Sequence, residues 1–501
     1  MFQTHEVVLT TRTSCLPPDY SNATYKRLRL TGFDNNSRET FISKVTGSGR
    51  SVKADIINMF LKENPVTADH CDVPLVFAMI SYSVNNSERF RNVRTLTEVF
   101  RYIIKCFNSH NEIKFIEEKQ KEELDHSGLD ELAFEGLSGD VQQISWNRSK
   151  VRGKIGMGLY DEYVRIGILV EEEGFDYDSL EYYTETRFFH KLFAEWYAAH
   201  FLAKLAAKSV TEFETGIDFE IQKWPESQAA GNLQPHQAKN RGEVHSLKRI
   251  NPHDVHYMYR FACGLSSVAA QKIIEHLGTN VHYDQYTLLC IKEWGGSLDA
   301  LEETVTLLCS RRIQIKDTDS LLLQKSVISL VDFASSRRIP IDWVHLDNCL
   351  DVRSSGDLHV KPSHFSLPVI HTLNMLGINE YGREMTKEET DSILQYSAKC
   401  LGLKYVQFED CLLPHVIEIT DSVSTLRSRD VAVLWDPVFG GALLNLQSGQ
   451  WEKYGDGRTM SAEEYQEAVE DVRRIEEDSP ESSNNSETDS ECEESPSQAG
   501  E

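Results

Sequence analysis

The sequence has no phosphate-cradling loop. No G-x-x-x-x-G-K-[ST] run occurs in its 501 residues. The nearest stretch, Gly47-Ser-Gly-Arg-Ser-Val-Lys53, has Val52 where the second glycine is needed and Ala54 where a metal-binding hydroxyl would stand. A backbone so substituted cannot curl round phosphates in the P-loop way. H-E-x-x-H and G-x-S-x-G are also missing, which removes the zincin and nucleophile-elbow signatures. His253-Asp-Val-His256 has no third ligand near it in sequence and reads as part of a surface helix. The ten cysteines are scattered with no C-x-x-C pair. The first twenty residues lack the apolar core of a secretory signal, so a reduced, cytoplasmic chain is expected. No uncharged apolar run reaches the ~18 residues of a membrane helix. Val431–Leu446 comes nearest and Asp436 breaks it, so membrane insertion is not expected. Positive charge is short as well: 52 Lys and Arg against 78 Asp and Glu give a net charge of −26. That balance excludes a bulk-electrostatic nucleic-acid binder.

What is present is mostly helical periodicity. A helix is expected from Asp34 or Asn35 to Val45, with an acceptor side chain at its start. Further helices are expected after Ser51, at Val73–Ser83 behind the first-turn Pro74, and at Thr95–Phe107. Lys114–His126 is a charge run with no assigned function. Leu129–Leu137 is helical; Val164–Val170 and Tyr182–Phe189 read as strands of a small hairpin. Helices followed by such a hairpin would make a winged-helix-like module. Phe188–Lys208 is a long aromatic helix whose Phe189, Phe193, Trp196, Tyr197 and Leu202 are expected in the core. Lys191 and Glu195, four apart, read as a helix-stabilising surface pair. Helices resume at Val255–Leu277, Gln285–Glu293, Leu298–Ser310 and Ser320–Ser336.

From Ile339 short apolar alternations end in Asn or Cys, at Val344–Cys349, Ile370–Asn374 and Tyr405–Cys411. They read as leucine-rich-repeat-like units, with a convex-side helix at Thr386–Gly402. Glu476–Glu501 holds ten acids, seven serines and no base, and disorder is expected there. Ser486, Thr488 and Ser490 lie among its acids, in a context suited to acid-directed kinases.

One block is more specific than periodicity. Phe188–Ala203, FFHKLFAEWYAAHFLA, resembles the junction between the winged-helix and second helical domains of NACHT-containing NOD-like receptors. Other blocks are similar to that family in the same order. These are VVLTTR at Val7–Arg12 with LRLTGF at Leu28–Phe33 (sensor 1), CDVPLVFAMI at Cys71–Ile80, RTLTEVFRYII at Arg94–Ile104, LAFEGL at Leu132–Leu137 and RFACGLSSVAAQKIIEHL at Arg260–Leu277. The last of these, with the FFHK variant, is closest to the caspase-recruiting, NAIP-partnered inflammasome receptor type. Together they run from Val7 to about Leu350.

The resemblance implies a mainly-α chain carrying the rear part of an AAA+-like NACHT module. The implied order is a sensor-1 strand remnant (1–33), a first helical domain (34–93), a winged helix (94–190), a second helical domain (191–338), a repeat-like region (339–450) and a C-terminal segment (451–501) that is disordered from about 476. It also implies that Arg12, Pro74 and His190 are nucleotide-contacting positions. By themselves these three read as a strand-end cation, a helix-opening proline and a structural histidine. The family's P-loop and acidic Walker B strand both precede sensor 1, and the strand at Glu6–Arg12 would need sheet partners upstream. The chain therefore reads as a fragment with no cofactor of its own; ADP or ATP would need an upstream P-loop. The implied function is a non-catalytic regulatory and interaction role in innate immune sensing and inflammasome-type assembly. Its partners would be other NOD-like receptors or a microbial or protein ligand. The alternative is an ATP/ADP-switched NACHT ATPase whose P-loop lies upstream.

Overall fold

The described residues are mainly α-helical, with a three-stranded and a seven-stranded β-sheet that each organise one part of them and two short two-stranded pairs. The computed structural model describes residues 33–46, 52–71, 73–86, 90, 93–114, 125–138, 142–176, 180–208, 219–220, 244–245, 250, 252, 254–349, 360–361, 364–365, 367–436, 441–454 and 457–478. The expected strand at Glu6–Arg12 therefore lies outside the described residues, as do Leu28–Gly32 of the LRLTGF block, Arg12, Ser486, Thr488 and Ser490.

The first helix, Asn35–Thr46, opens as its sequence asks: Asp34 Oδ1 accepts the Ser37 N–H at 2.7 Å. Helix Pro74–Asn86 packs with it through Phe33, Phe41 and Phe77, and helix Val52–Glu63 lies against both. Helices Leu96–Lys114, Ser127–Ser138, Arg148–Ile155 and Met157–Arg165 follow. They accompany a three-stranded antiparallel sheet in which Glu181–Phe188 lies between Ser145–Asn147 and Leu169–Asp176. The strand expected at Val164–Val170 starts later than its apolar pattern implies. The helix continues to Arg165, and Gly167, at φ 81°, turns the chain into the strand at Leu169.

The helix Lys191–Lys208 is buried on nearly every side. Phe193, Trp196, Tyr197 and Leu202 are buried as expected, and Phe100 meets Phe193, Trp196 and Phe261 at ring-centroid distances of 5.8, 5.7 and 4.9 Å. Phe189 corrects the expectation: it is 50% exposed. It follows strand residue Phe188, which points inward and is fully buried, so alternation sends the next side chain out. The expected single helix Val255–Leu277 is two, His256–Leu265 and Ser267–Gly278. Ser266 is extended between them and its side chain accepts the Ala269 N–H, starting the second helix. The helix starts at His256, and His253, the other half of the expected pair, lies outside the described residues.

The second sheet has seven strands. Five are parallel and lie in chain order: Arg312–Lys316, Ile341–Asp347, Leu373–Asn379, Tyr405–Glu409 and Ala432–Asp436. Their register stacks Ile313, Val344, Leu376, Val406 and Val433 in one row, and Ile315, Leu346, Ile378, Phe408 and Trp435 in a second. Both rows are buried. The sheet thus takes in a strand upstream of the pattern change at Ile339. Helices Leu321–Arg337, Lys387–Lys399 and Asp421–Ser428 connect neighbouring strands. Thr386 and Glu389 close a capping box on the second of these helices. Two antiparallel strands, Ala442–Asn445 and Gln450–Lys453, finish the sheet. The last helix, Ala462–Asp478, lays Tyr465, Val469 and Val472 against Leu412. It carries helix past the expected disorder boundary at 476. No helix among the described residues is long and apolar enough to cross a membrane.

Candidate functional site

Pro74 occupies the first position of its helix, where a missing N–H costs nothing. His190 sits half-buried between the antiparallel sheet and the long helix. Its Nδ1 accepts the Leu192 N–H at 3.1 Å, one of the donors a helix start leaves unpaired. A neutral ring in that role carries its proton on Nε2. The structure thus gives both described members of the expected nucleotide set helix-opening positions.

The dense polar site lies deeper, where four helices meet. Glu195 is buried, not half of a surface pair: its side chain is 4% exposed, and Lys191 Nζ stands 3.8 Å from Oε1. The reason lies across the junction. Helix His256–Leu265 has Val255 at its cap position, which offers no side-chain oxygen. Glu195 Oε2 supplies it, accepting the N–H groups of Tyr257 at 2.6 Å and Met258 at 3.1 Å. Burial raises the Glu195 pKa to about 7, against the lowering effect of Lys191 and the two N–H donors. Glu293 repeats the device. Its carboxylate accepts the N–H groups of Leu96 at 3.1 Å and Thr97 at 2.6 Å, at the start of Leu96–Lys114.

Arg260 is fully buried between these parts. Its guanidinium lies 4.0 Å from Asp69 Oδ2 and 4.0 Å from Glu293 Oε2, and its Nη1 is 3.4 Å from His256 Nε2. His70 Nδ1 meets Tyr257 Oη at 3.3 Å. Burial, then the neighbouring Arg260 and His256, hold the His70 pKa well below its ordinary value, so that ring is neutral. Gly264 permits the close approach: a Cβ there would lie 2.1 Å from Thr97 Oγ1 and 2.6 Å from Thr97 Cβ. This arrangement fixes the relative placement of helices from three parts of the chain. Sequence reasoning missed Glu195, Glu293 and Arg260. The available signal was a carboxylate inside an otherwise apolar stretch, Phe193-Ala-Glu-Trp-Tyr197.

The face of the parallel sheet opposite its buried rows is the second candidate. Arg312 lies over the Trp343 ring at 4.3 Å and reaches Glu409 at 3.9 Å, two strands further along. His345 is 1% exposed, and its Nδ1 has no hydrogen-bond partner among the described residues; the same holds for Trp343 Nε1. Both atoms face Gly377, where a Cβ would come within 2.6 and 2.7 Å of them. Burial first, then Arg312 and Lys316, bring the His345 pKa down to about 4. Asp347, Asn379, Glu409 and Asp436 stand in register at the strand ends. Burial raises the Glu409 pKa, Arg312 opposes it, and Asp410, Asp436 and Asp347 add to it. Polar atoms beside an acidic row suit recognition of a cationic protein surface.

No protein-family model matches the chain, and a search of curated proteins finds no matching relative.

Proposed function

We propose that this chain is a regulatory interaction protein on the plan of the NACHT–leucine-rich-repeat receptors of innate immunity, acting in the cytoplasm by contact rather than turnover. On this reading Pro74–Asn86 belongs to the first helical domain, and the antiparallel sheet with its helices is the winged helix. Glu195, Arg260 and Glu293 lock that module to the second helical domain, and the seven-stranded sheet carries the repeat surface. The observation that supports it most is the parallel sheet. Five strands follow in chain order, with buried positions recurring about every 30 residues, as stacked strand-and-helix units require. It comes after the antiparallel sheet and the FFHK block, in the order the family resemblance implies.

The chain itself would take no cofactor; ADP or ATP would bind only where a P-loop is supplied. Its partners would be other NOD-like receptors or a protein ligand docking on the Arg312–Trp343–Glu409 face. Co-expression with NAIP-partnered and other NOD-like receptors, read by co-purification and by receptor oligomerisation, tests this. Association that falls at least tenfold in Glu409→Lys, with ATP turnover at background, is expected. Equal association of the variant, no association with any receptor, or ATP turnover above background would refute it.

A further inference from the structure

A cluster away from both surfaces has ligand chemistry. His126 ends the approach to helix Ser127–Ser138, and its carbonyl accepts the Leu129 and Asp130 N–H groups at 2.9 Å each. Its ring turns back over the first turn, so that Nδ1 lies 2.8 Å from Asp130 Oδ1. His200 comes from the facing helix Lys191–Lys208, with its ring 4.9 Å from that of His126. One ligand atom from each of His126, Asp130 and His200 falls within 4.8 Å of the others. We propose that these three side chains form a site for a divalent transition-metal ion, zinc foremost, which pins the start of helix Ser127–Ser138 to the long helix.

The donor set suits that ion. Two imidazoles and one carboxylate are borderline N and O ligands, and zinc binds such sets at ~2.0–2.2 Å with a fourth position left for water. The carboxylate is already out of water: the Asp130 side chain is 0% exposed. Its second oxygen, Oδ2, holds Lys204 Nζ at 3.0 Å, so the carboxylate is oriented from behind, as supporting partners orient metal ligands. The His126 side chain is 32% exposed, which leaves an entry path. Trp196 stands edge-on to His200 and Tyr197 edge-on to His126, at centroid distances of 5.0 and 5.7 Å, and both limit ring rotation.

Binding balances simply. The Nδ1–H that His126 gives Asp130 moves to Nε2 or to solvent, and the metal takes its place between nitrogen and oxygen. His200 binds through a ring nitrogen that carries no proton and so releases none. Lys204 remains on Oδ2 and offsets one charge.

Titration of the full chain with Co²⁺ and Zn²⁺ after chelator treatment tests the proposal. Of the eight cysteines in the described residues, seven are buried and Cys106 is half-buried, so thiol binding has to be told apart from the proposed site. The expected result is one metal per chain, with visible cobalt d–d bands and no thiolate charge-transfer band. His200→Ala and His126→Ala should each weaken binding by roughly tenfold or more while keeping wild-type circular dichroism. If either variant misfolds, the wild-type spectrum decides alone. Absence of binding, a thiolate charge-transfer band, or undiminished affinity in folded histidine variants would leave a hydrogen-bonded triad and overturn the site.

Discussion

Glu195→Gln isolates one buried charge. The substitution keeps the shape of the side chain and an oxygen that can accept the Tyr257 and Met258 N–H groups. It removes the ionisation that burial opposes. The carboxyl's ordinary value is 4.5 and burial raises it to about 7 in the fold. The folded chain therefore holds a proton that the unfolded chain releases between those values. Stability from this group is fully present below about pH 4.5 and is lost as pH rises through about 7. At about 1.4 kcal/mol for each tenfold change in proton affinity, the full span is worth roughly 3 kcal/mol. About 2 to 3 kcal/mol of it falls between pH 5 and pH 8. Glu195 is buried, so solvent screening takes little of this. Urea unfolding followed by hydrogen exchange of the peptide spanning 256–265, at pH 5, 6, 7 and 8, measures it in both proteins. The glutamine variant should gain on wild type steadily with pH. Parallel pH profiles would show that Glu195 ionises without penalty and that its place in the junction is misjudged.

Three further substitutions test the packing. Gly264→Ala sets a helix-propensity gain of ~1 kcal/mol against overpacking of ~1–3 kcal/mol on Thr97; clash should win, and a variant more stable in urea would contradict the close approach. Phe193→Ala should cost about 3–5 kcal/mol, since the ring is 1% exposed within the aromatic cluster; a loss under about 1 kcal/mol in thermal or urea unfolding would be incompatible with that. Thr386→Ala opens the capping box and should cost ~1 kcal/mol, with Thr386→Ser restoring most of it. Equal losses for both substitutions would exclude the hydroxyl as the cause.

Helix positions were legible where an apolar stripe met a capping residue, as at Asp34, Pro74 and Thr386. Boundaries blurred where the stripe ran on, as at Ser266, where nothing apolar changes and only the backbone turns extended. The strands of the parallel sheet were partly legible. Tyr405–Glu409 matches its alternation, whereas Ala432–Asp436 and the closing hairpin lacked the Asn or Cys ending that marked the others. The junction was least legible. Glu195 and Glu293 act on helix starts about 60 and 200 residues away in sequence, and local spacing carries no trace of such pairings. The same distance hides His200 from His126 and Asp130.

The closing hairpin also governs what the sheet cannot do. A parallel stack could in principle keep recruiting strands from other molecules, because its last strand presents an open row of amides. Here Gln450–Lys453 is that last strand. Glu452 bridges to Thr459, and the Lys453 N–H is taken by the Arg458 carbonyl, so the chain folds back over its own border. Trp451 is tethered to the Pro414 carbonyl, and the final helix packs close by. At this end the sheet is guarded against fibril-like growth, and a chain cut before Gln450 would expose Ala442–Asn445 as an aggregation-prone border.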